Sequence, residues 1–419
     1  VAMLTTACSE EVDCDEDPTN PDCNTASYVI EDVEIDGTMY AKITGGFDEN
    51  YTLTSDVNWM MSGGVFVNDG VTLTIDAGTT VYGADDGTTP FLAISQGAKI
   101  MAEGTQNNPI VFTTVNSSPA AGDWGGIIIN GKATANCGAA CESEGGAGTY
   151  GGTDDADNSG VLRYVRVEYG GKKFTTEDEL NGFTFNGVGS GTTVAYVQAY
   201  ECADDGFEFF GGTVNVKYAV SSKAGDDSFD WTFGWRGKGQ FWVIEQSSVE
   251  SDRGIEGDNN SSDRGATPTS NPTITNITML GANDDGDNQA MKLREGTKGL
   301  IYNAICVGFP KRGVQVEHDE TLANMVNGDL LVANSVVFLE GAADDYGYYI
   351  ATNTAGDAVA CPFNDDATNA TLNPLLNNGY VGTIQDDAFD VTGLDAWFDA
   401  ATYKGAVVSG NDWTSGWTK

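Results

Sequence analysis

The chain has 419 residues, of which 62 are acidic and 20 are basic, and its formal net charge at pH 7 is −42. Such a charge repels phosphate groups, so neither nucleic acid nor an anionic membrane surface is expected as a partner. The 54 glycines and the many short runs of alternating apolar residues exclude a helical protein and predict an all-β fold with many turns. Two interpretations of the acid excess stay open: solubility in a salty medium, and calcium binding by some of the aspartate clusters.

The first 24 residues do not read as a folded domain. VAMLTTA (1–7) has the composition of the end of a secretory signal, and Cys8 follows it directly, with a run of acids behind. This order resembles a bacterial lipobox joined to the acidic export signal of Bacteroidetes lipoproteins, except that Leu4 lies one position further from the cysteine than usual. The resemblance implies a lipid on Cys8 and a tether (1–24) to the cell surface at the outer membrane. A disordered acidic leader without lipid is the alternative.

The next segments alternate strand and turn signals. Residues 25–62 are strand-like and are expected to cap the first coil of a repetitive structure, whose apolar end must be shielded. From residue 63 onward, stretches such as GGVFVNDGVTLTIDAGTTVYG (63–83) and GAKIMAEGTQNNPIVFTTV (97–115) each read as strand, turn, strand.

The middle of the chain repeats with a step of roughly two dozen residues. Each unit has two short strands, and the first strand follows a small residue: Gly182, Gly206, Ser228, Gly254, Ala290 or Gly313. Repeats of this length without helices indicate a solenoid, and the missing LxxLxL pattern excludes leucine-rich repeats. We therefore predict a right-handed parallel β-helix over residues 63–385. At each corner we expect the glycine to make a sharp turn and the neighbouring aspartate to bond its own backbone.

The last segment, residues 386–419, is predicted to cap the far end of the solenoid. It has one predicted short helix, around Leu394 to Ala401, and three tryptophans suited to a cap: Trp397, Trp413 and Trp417.

Four segments together resemble surface β-helix proteins of the Bacteroidetes: LTIDAGTTVYG (73–83), GAKIMAEGTQNNPIVFT (97–113), GDWGGIIINGKA (122–133) and DWTSGWT (412–418). The likeness runs from about residue 58 onward. It implies a right-handed parallel β-helix at the cell surface, but no particular reaction, because β-helices carry both enzymes and binding proteins.

The eight cysteines contain no CxxC motif, and with a single histidine, His318, zinc and haem sites are not expected. Two short spacings predict local disulfides in an oxidising compartment, namely Cys14 with Cys23 and Cys137 with Cys141. A longer disulfide is possible for Cys306 and Cys361. His318, in the motif HDE, is placed in a loop.

Alternation along the first strand of each repeat predicts an outward column of charged residues. Five residues are predicted to face the core: Phe207, Phe229, Ile255, Met291 and Val314. The outward positions are then acidic in the middle coils and basic below. Candidate ligand-binding residues are Glu208, Asp230, Trp231, Trp235, Arg236, Lys292 and Arg294. Candidate calcium ligands are Asp204, Asp226, Asp258, Asp285 and Asp287. A ladder of charges that only keeps the sheet soluble is the competing interpretation.

Three functions stay open. The favoured one is a surface module that binds glycans or envelope proteins. The second is a polysaccharide lyase or hydrolase, for which the candidate catalytic residues are Asp230, Glu256, Lys292 and Arg294. The third is a surface fibre or adhesin that associates with itself, since the ends of a solenoid can stack unless they are capped.

Overall fold

The computed structural model describes residues 28–138, 141–173, 179–246, 251–282, 288–339, 348–376 and 379–419. Its strands wind into a parallel β-helix, which confirms the predicted fold. The strands are β1 (Val29–Ile35), β2 (Thr38–Phe47), β3 (Tyr51–Leu53), β4 (Trp59–Val67), β5 (Thr72–Ile75), β6 (Thr80–Gly83), β7 (Phe91–Ile94), β8 (Lys99–Glu103), β9 (Ile110–Thr114), β10 (Ile127–Asn130), β11 (Cys141–Glu142), β12 (Thr149–Tyr150), β13 (Gly160–Glu168), β14 (Phe183–Asn186), β15 (Thr193–Tyr200), β16 (Phe207–Phe210), β17 (Asn215–Ser222), β18 (Phe229–Thr232), β19 (Lys238–Glu245), β20 (Arg253–Gly257), β21 (Thr273–Leu280), β22 (Gln289–Leu293), β23 (Gly299–Val307), β24 (Arg312–Glu317), β25 (Leu330–Ala333), β26 (Val336–Phe338), β27 (Tyr349–Thr352), β28 (Ala358–Val359), β29 (Gly382–Ile384) and β30 (Lys404–Val407).

Three ladders of parallel strands form the walls of the solenoid. Ladder A joins β3, β5 and β8 to the first halves of β13, β15, β17, β19, β21 and β23, and ends at β25. Ladder B joins the first halves of β2 and β4 to β6 and β9, continues through the second halves of β13, β15, β17, β19, β21 and β23, and ends at β26. Ladder C joins the second halves of β2 and β4 to β7, β10, β14, β16, β18, β20, β22, β24 and β27.

Equivalent side chains stack in the interior from coil to coil. The ring centroids of Phe183, Phe207 and Phe229 follow one another at 5.0 and 4.7 Å. All five positions predicted to face the core are fully buried, which confirms the inward face of ladder C. Stacked aromatic pairs contribute about 0.5–1.5 kcal/mol each beyond the area they bury, so the column stabilises the register as well as the core.

The aspartates at the corners before ladder C bond the next coil rather than their own turn. Asp205 accepts a hydrogen bond from the backbone N–H of Asp227 at 2.8 Å, and Asp227 accepts one from the N–H of Arg253 at 2.7 Å. Asn181 does the same for the N–H of Asp205 at 3.2 Å. The prediction of bonding within the turn was wrong, because stacking brings the next coil's amide closer to the carboxylate.

The corner glycines are required by crowding and not by a left-handed backbone. Gly206 has no positive φ, but a Cβ added to it would lie 2.3 Å from Oγ of Ser221 and 2.8 Å from the carbonyl oxygen of Ser228. The equivalent residues Ser228 and Ala290 are small and fully buried. The corner thus needs a small side chain between two coils.

Replacing Gly206 with alanine is expected to destabilise the fold by about 1–3 kcal/mol, since the new methyl group must displace packed atoms. Gly393→Ala is the matched control, because its Cβ would meet no atom within 4 Å and its φ is not positive. The free energies of unfolding from urea titrations measure both changes. Equal values for the two variants would contradict the crowding argument.

A bend between ladders A and B uses the left-handed conformation at bulky residues. The bend positions with positive φ are Tyr164, Tyr196, Tyr218, Phe241, Asn276, Asn303 and Asn334. This conformation costs roughly 1–2 kcal/mol at most residues, and asparagine tolerates it best. The aromatic members stack in the order Tyr164, Tyr196, Tyr218 and Phe241, with successive ring centroids 4.4, 4.4 and 4.9 Å apart. This stacking offsets part of the cost of the left-handed backbone.

Residues 380–419, here called the strap, run back along this bend instead of capping the far end. Asn303 exchanges two hydrogen bonds with the backbone of Phe389, at 2.8 and 2.9 Å. At the other end of the strap, Gln106 donates to the carbonyl oxygen of Ser415 at 2.7 Å. The predicted terminal cap over 386–419 was therefore wrong: amide side chains on the bend bond the strap along the flank.

The helices also differ from the prediction. The expected helix around Leu394 to Ala401 is absent: a 3₁₀ turn at Val391–Gly393 precedes irregular backbone fixed by bonds to the coils. The α-helix of the described residues, α1 (Asp319–Asn327), begins directly after His318, where a loop was expected. Asp319 and Glu320 in its first turn and a left-handed Gly328 after its last turn explain its stability. Further 3₁₀ turns are Glu144–Gly146 and Pro362–Asn364.

The ends of the solenoid are covered by antiparallel pairs. β1 pairs with β2 at the amino end, and β28 pairs with β27 at the other. Parallel pairing begins already in β2, ahead of the predicted start of the coils at residue 63. No helix in the described part of the chain is long and apolar enough to cross a membrane.

One predicted disulfide is confirmed and one is wrong. Cys137 and Cys141 are bonded to each other. Cys306 and Cys361 are free thiols, and each sulfur packs against a methionine, Met279 at 3.8 Å and Met325 at 4.0 Å respectively. Both fill the core as apolar groups. Cys8, Cys14 and Cys23 lie outside the described residues.

Candidate cation and ligand site

A cavity of about 450 Å³ lies against the outer face of ladder C, beside β16, β18 and β20. Among the described residues, ten carboxylates and two guanidinium groups line it: Glu144, Glu179, Asp204, Asp205, Glu208, Asp226, Asp227, Asp230, Asp252, Glu256, Arg253 and Arg294. We call it the acidic cavity.

Two features of the repeat supply these acids. The outward column of ladder C has the predicted register, in which Glu208, Asp230, Glu256 and Lys292 pair one after another in successive coils. The corner before each strand adds a second column, which includes Asp204 and Asp226. Parallel coils lie about 4.8 Å apart, so each column places like charges at that spacing.

The carboxylate oxygens are close enough to share one ion. Four sets of three acids each offer oxygen atoms that lie within 4.8 Å of one another: Asp204, Asp205 and Asp226; Asp205, Glu208 and Asp230; Asp226, Asp227 and Asp252; and Asp227, Asp230 and Glu256. Calcium binds oxygens at 2.3–2.6 Å, so two ligands of one ion lie at most about 5 Å apart. The sets overlap through shared aspartates, so the acidic cavity has places for more than one ion.

Basic side chains neutralise only the rim of the acidic cavity. Lys173 contacts Asp204 at 2.9 Å and Glu179 at 3.0 Å, and Arg294 contacts Asp258 at 3.0 Å and also Glu256. Among the described residues, no lysine or arginine lies within ion-pair distance of four acids: Asp205, Glu208, Asp227 and Asp230. The oxygen Oδ1 of Asp230 is buried and has no hydrogen-bond partner in the described part of the chain.

Burial and mutual repulsion change the acidity of this cluster. Burial raises the pKa of Asp204 to about 7, against the opposing effect of Lys173, and raises that of Asp258 to about 7. The pKa values of Asp205, Glu208, Asp227 and Asp230 lie well above the usual range, because each is buried among other carboxylates. The charged cluster is unstable by itself, and either protons or cations must compensate it.

The loop that contains the Cys137–Cys141 disulfide and continues to Tyr150 covers the neighbouring part of ladder C. It also brings Glu144 to the acidic cavity. Beneath this loop, Asn186 donates to Oγ of Ser143 at 2.8 Å, and Phe210 packs against Tyr150 with ring centroids 6.4 Å apart. The loop therefore closes the outward face upstream and leaves the acidic coils open.

Several predicted ligand residues lie elsewhere. Trp231 and Trp235 are fully buried in the core, where the ring of Trp235 stacks on that of Phe209 at a centroid distance of 4.2 Å, so their prediction as ligand-binding residues was wrong. Alternation of the strand directs Trp231 inward beside Asp230. Arg236 bonds Asp155 at 3.0 Å, away from the acidic cavity.

The remaining predicted residues lie near the acidic cavity or outside the described chain. Lys292 is one coil below, with its Nζ 3.6 Å from Oε2 of Glu317, and it does not line the acidic cavity. Asp258 is held by Arg294. Asp285 and Asp287 lie outside the described residues. Sequence reasoning missed Glu144 and Glu179, since both come from loops outside the repeat and nothing in their spacing relates them to it.

The arrangement suits cation binding better than proton abstraction by Arg294. The carboxylates around Arg294 raise its pKa further above the ordinary arginine value, so the guanidinium stays charged and is a poor base. Hard cations prefer six to eight oxygen ligands, which carboxylates of this density can supply.

Fold and site together define a parallel β-helix protein with a polyanionic cavity on one ladder. The chain matches the family model described as "Pectate-lyase like beta helix domain" over residues 45–418, and it belongs to that family. A domain of this kind fits a module that interacts with polysaccharides. No curated protein and no solved structure shows significant similarity to the chain.

The cation-free protein is expected to lose stability as pH rises from about 4 to about 7 and to stay less stable above that. In this window the unfolded chain releases protons that the folded state keeps, because the folded-state pKa values are raised. Thermal melts in chelator at pH 5 and pH 8 measure the effect. Asp230→Asn removes one buried charge and should reduce the difference between the two melting temperatures. An unchanged difference would contradict this account.

Proposed function

We propose that this protein is a calcium-dependent polysaccharide-binding module displayed at the cell surface. The observation that carries the proposal is the set of four overlapping carboxylate triplets, in a cavity where four acids have no basic partner among the described residues. The match to a pectate-lyase-like β-helix family supports the choice of polysaccharide as ligand class.

The residues of the acidic cavity have distinct roles in this proposal. Asp230 belongs to two of the triplets and has an oxygen without a hydrogen-bond partner among the described residues, so we assign it as the central cation ligand. A bound calcium ion would offset the carboxylate charge and offer open coordination positions to sugar oxygens. Arg253 and Arg294 also line the acidic cavity and would bond hydroxyl or carboxylate groups of the glycan.

Cleavage of the bound glycan is the second candidate. It is favoured by the pKa of about 7 at Asp204 and at Asp258, which suits a group that gives or takes a proton at neutral pH. Lys292 stays a candidate base, since its Nζ is held only by Glu317 at 3.6 Å among the described ion pairs.

Self-assembly into a fibre has less support. The outer edge of β1 carries the exposed acids Glu31, Asp32 and Glu34, and charges on an edge strand oppose pairing with another chain.

Calcium is expected to raise the melting temperature of the protein above its value in chelator. Binding to the folded state alone contributes RT ln(1 + [L]/Kd), about 2.7 kcal/mol at a hundredfold excess over Kd. Asp230→Asn should weaken calcium binding at least tenfold, whereas Asp32→Asn, an exposed acid on β1, should leave it unchanged. Isothermal titration with calcium alone measures both variants.

The same proteins test glycan binding and cleavage. A panel of acidic and neutral polysaccharides is immobilised, and binding is measured with calcium and with chelator. Binding that needs calcium and is lost in Asp230→Asn supports the proposal, and release of shortened or unsaturated products identifies an enzyme. The proposal is overturned if the melting temperature does not respond to calcium, or if the protein binds the glycan as strongly in chelator as in calcium.

The lipid anchor is a separate proposal, because residues 1–7 and Cys8 lie outside the described part of the chain. Cys8→Ser should move the protein from the membrane fraction to the medium, and the mature cell-bound form should lack residues 1–7. Cell fractionation and mass spectrometry of the mature chain measure this. Unchanged membrane association of the variant would refute lipidation at Cys8.

A further inference from the structure

A second cavity, of about 170 Å³, lies between the strap and the bend of the solenoid. Three of its aromatic residues belong to the coils, and the strap adds two more aromatics and an amide: Tyr196, Tyr218, Phe241, Tyr403, Trp413 and Asn411. We call it the flank pocket. It lies along the bend between ladders A and B, whereas the acidic cavity lies on ladder C.

The walls of the flank pocket are held in place from both sides. The rings of Tyr196, Tyr218 and Phe241 stack as part of the left-handed bend, while Trp413 stands at 67° to Tyr218 with ring centroids 5.2 Å apart. The indole N–H of Trp413 donates to the carbonyl oxygen of Ala406 at 2.9 Å. The flank pocket therefore has aromatic walls in two directions and exists only because the strap is docked.

The strap itself is fixed next to the flank pocket by hydrogen bonds from the bend. Asn276 donates to the carbonyl oxygen of Tyr403 at 2.7 Å, and Oγ1 of Thr278 accepts from the N–H of Ala406 at 2.8 Å. A preformed site loses little conformational entropy when a ligand binds.

The described lining of the flank pocket is uncharged, in a chain that carries 62 acids. All eight described residues that line it have neutral side chains, and their polar groups are tyrosine hydroxyls, the Asn411 amide and the indole N–H of Trp413, which is already bonded to Ala406. Tyrosine hydroxyls keep their protons at neutral pH, and burial raises the pKa of Tyr196, Tyr218 and Tyr403 further. Such a surface matches a neutral ligand with one apolar face and several hydroxyl groups.

The size of the flank pocket limits the ligand to one ring. Pockets for drug-sized molecules begin at roughly 300 Å³, about twice this volume. We propose that the flank pocket binds a single neutral sugar ring, with Trp413 against its C–H face and Asn411 and Tyr403 bonded to its hydroxyls. The stacked rings of Tyr196 and Tyr218 offer only their edges to the ligand, because their faces cover one another and their neighbours. This site is additional to the proposed calcium-dependent site and needs no cation.

The test uses the full chain and four neutral probes, the methyl glycosides of glucose, galactose, mannose and xylose. Saturation-transfer NMR in the presence of chelator identifies which probe binds, and titration gives its Kd. Tyr403→Phe should raise that Kd about two- to tenfold by removing one hydrogen bond. Tyr40→Phe is the matched control, since Tyr40 is also partly buried but pairs with Tyr82 at the opposite end of the chain. Trp413→Ala should abolish binding.

The outcomes separate the two proposals. Binding in chelator that weakens in Tyr403→Phe and Asn411→Ala but not in Tyr40→Phe supports the flank pocket, whether or not calcium acts at the acidic cavity. If Trp413→Ala fails to fold, the affinities of the two milder variants, Tyr403→Phe and Asn411→Ala, still test whether the probe binds in the flank pocket. The proposal is overturned if no probe binds in chelator, if both milder variants bind like the wild type, or if binding requires calcium and Asp230.

Discussion

The structure depends on the stacking of equivalent residues one coil apart. In a parallel β-helix, the side chain at a given position meets its own counterpart about 4.8 Å away, above and below. Phenylalanines benefit from this, since Phe183, Phe207 and Phe229 stack in the core. Acids do not, because like charges at that distance repel. The acidic cavity is therefore a costly arrangement, and such arrangements are retained mainly at functional sites.

The same stacking gives the two aspartates of each corner different hydrogen-bond partners, although both line the acidic cavity. The second aspartate of each pair, such as Asp205 or Asp227, accepts the backbone N–H of the following coil and so contributes to the fold. The first, such as Asp204 or Asp226, faces the acidic cavity with the outward column of ladder C. A single short motif thus specifies the shape of the turn and the charge of the site.

Much of this was predictable from the sequence, and the failures have physical causes. Period-two alternation identified the inward face at Phe207 and the outward register from Glu208 to Lys292. Alternation along one strand could not show that the loop near Glu144 folds over the sheet, because that contact joins distant segments. It likewise could not place the strap, since the side chains that bond it are spread along the whole bend. The prediction of Trp235 as a ligand-binding residue was wrong because its segment follows a strand, where no alternation shows whether a side chain points inward or outward.

The strap also affects how the molecule unfolds. A solenoid has contacts mainly between neighbouring coils, so its coils can open one at a time from either end. Here a single segment bonds Gln106, Gln240 and Asn303, residues that belong to coils far apart along the axis. Coils bridged in this way cannot separate without releasing the strap. We therefore expect the bridged coils to open as one cooperative unit, while coils outside the strap's reach exchange their amide hydrogens independently.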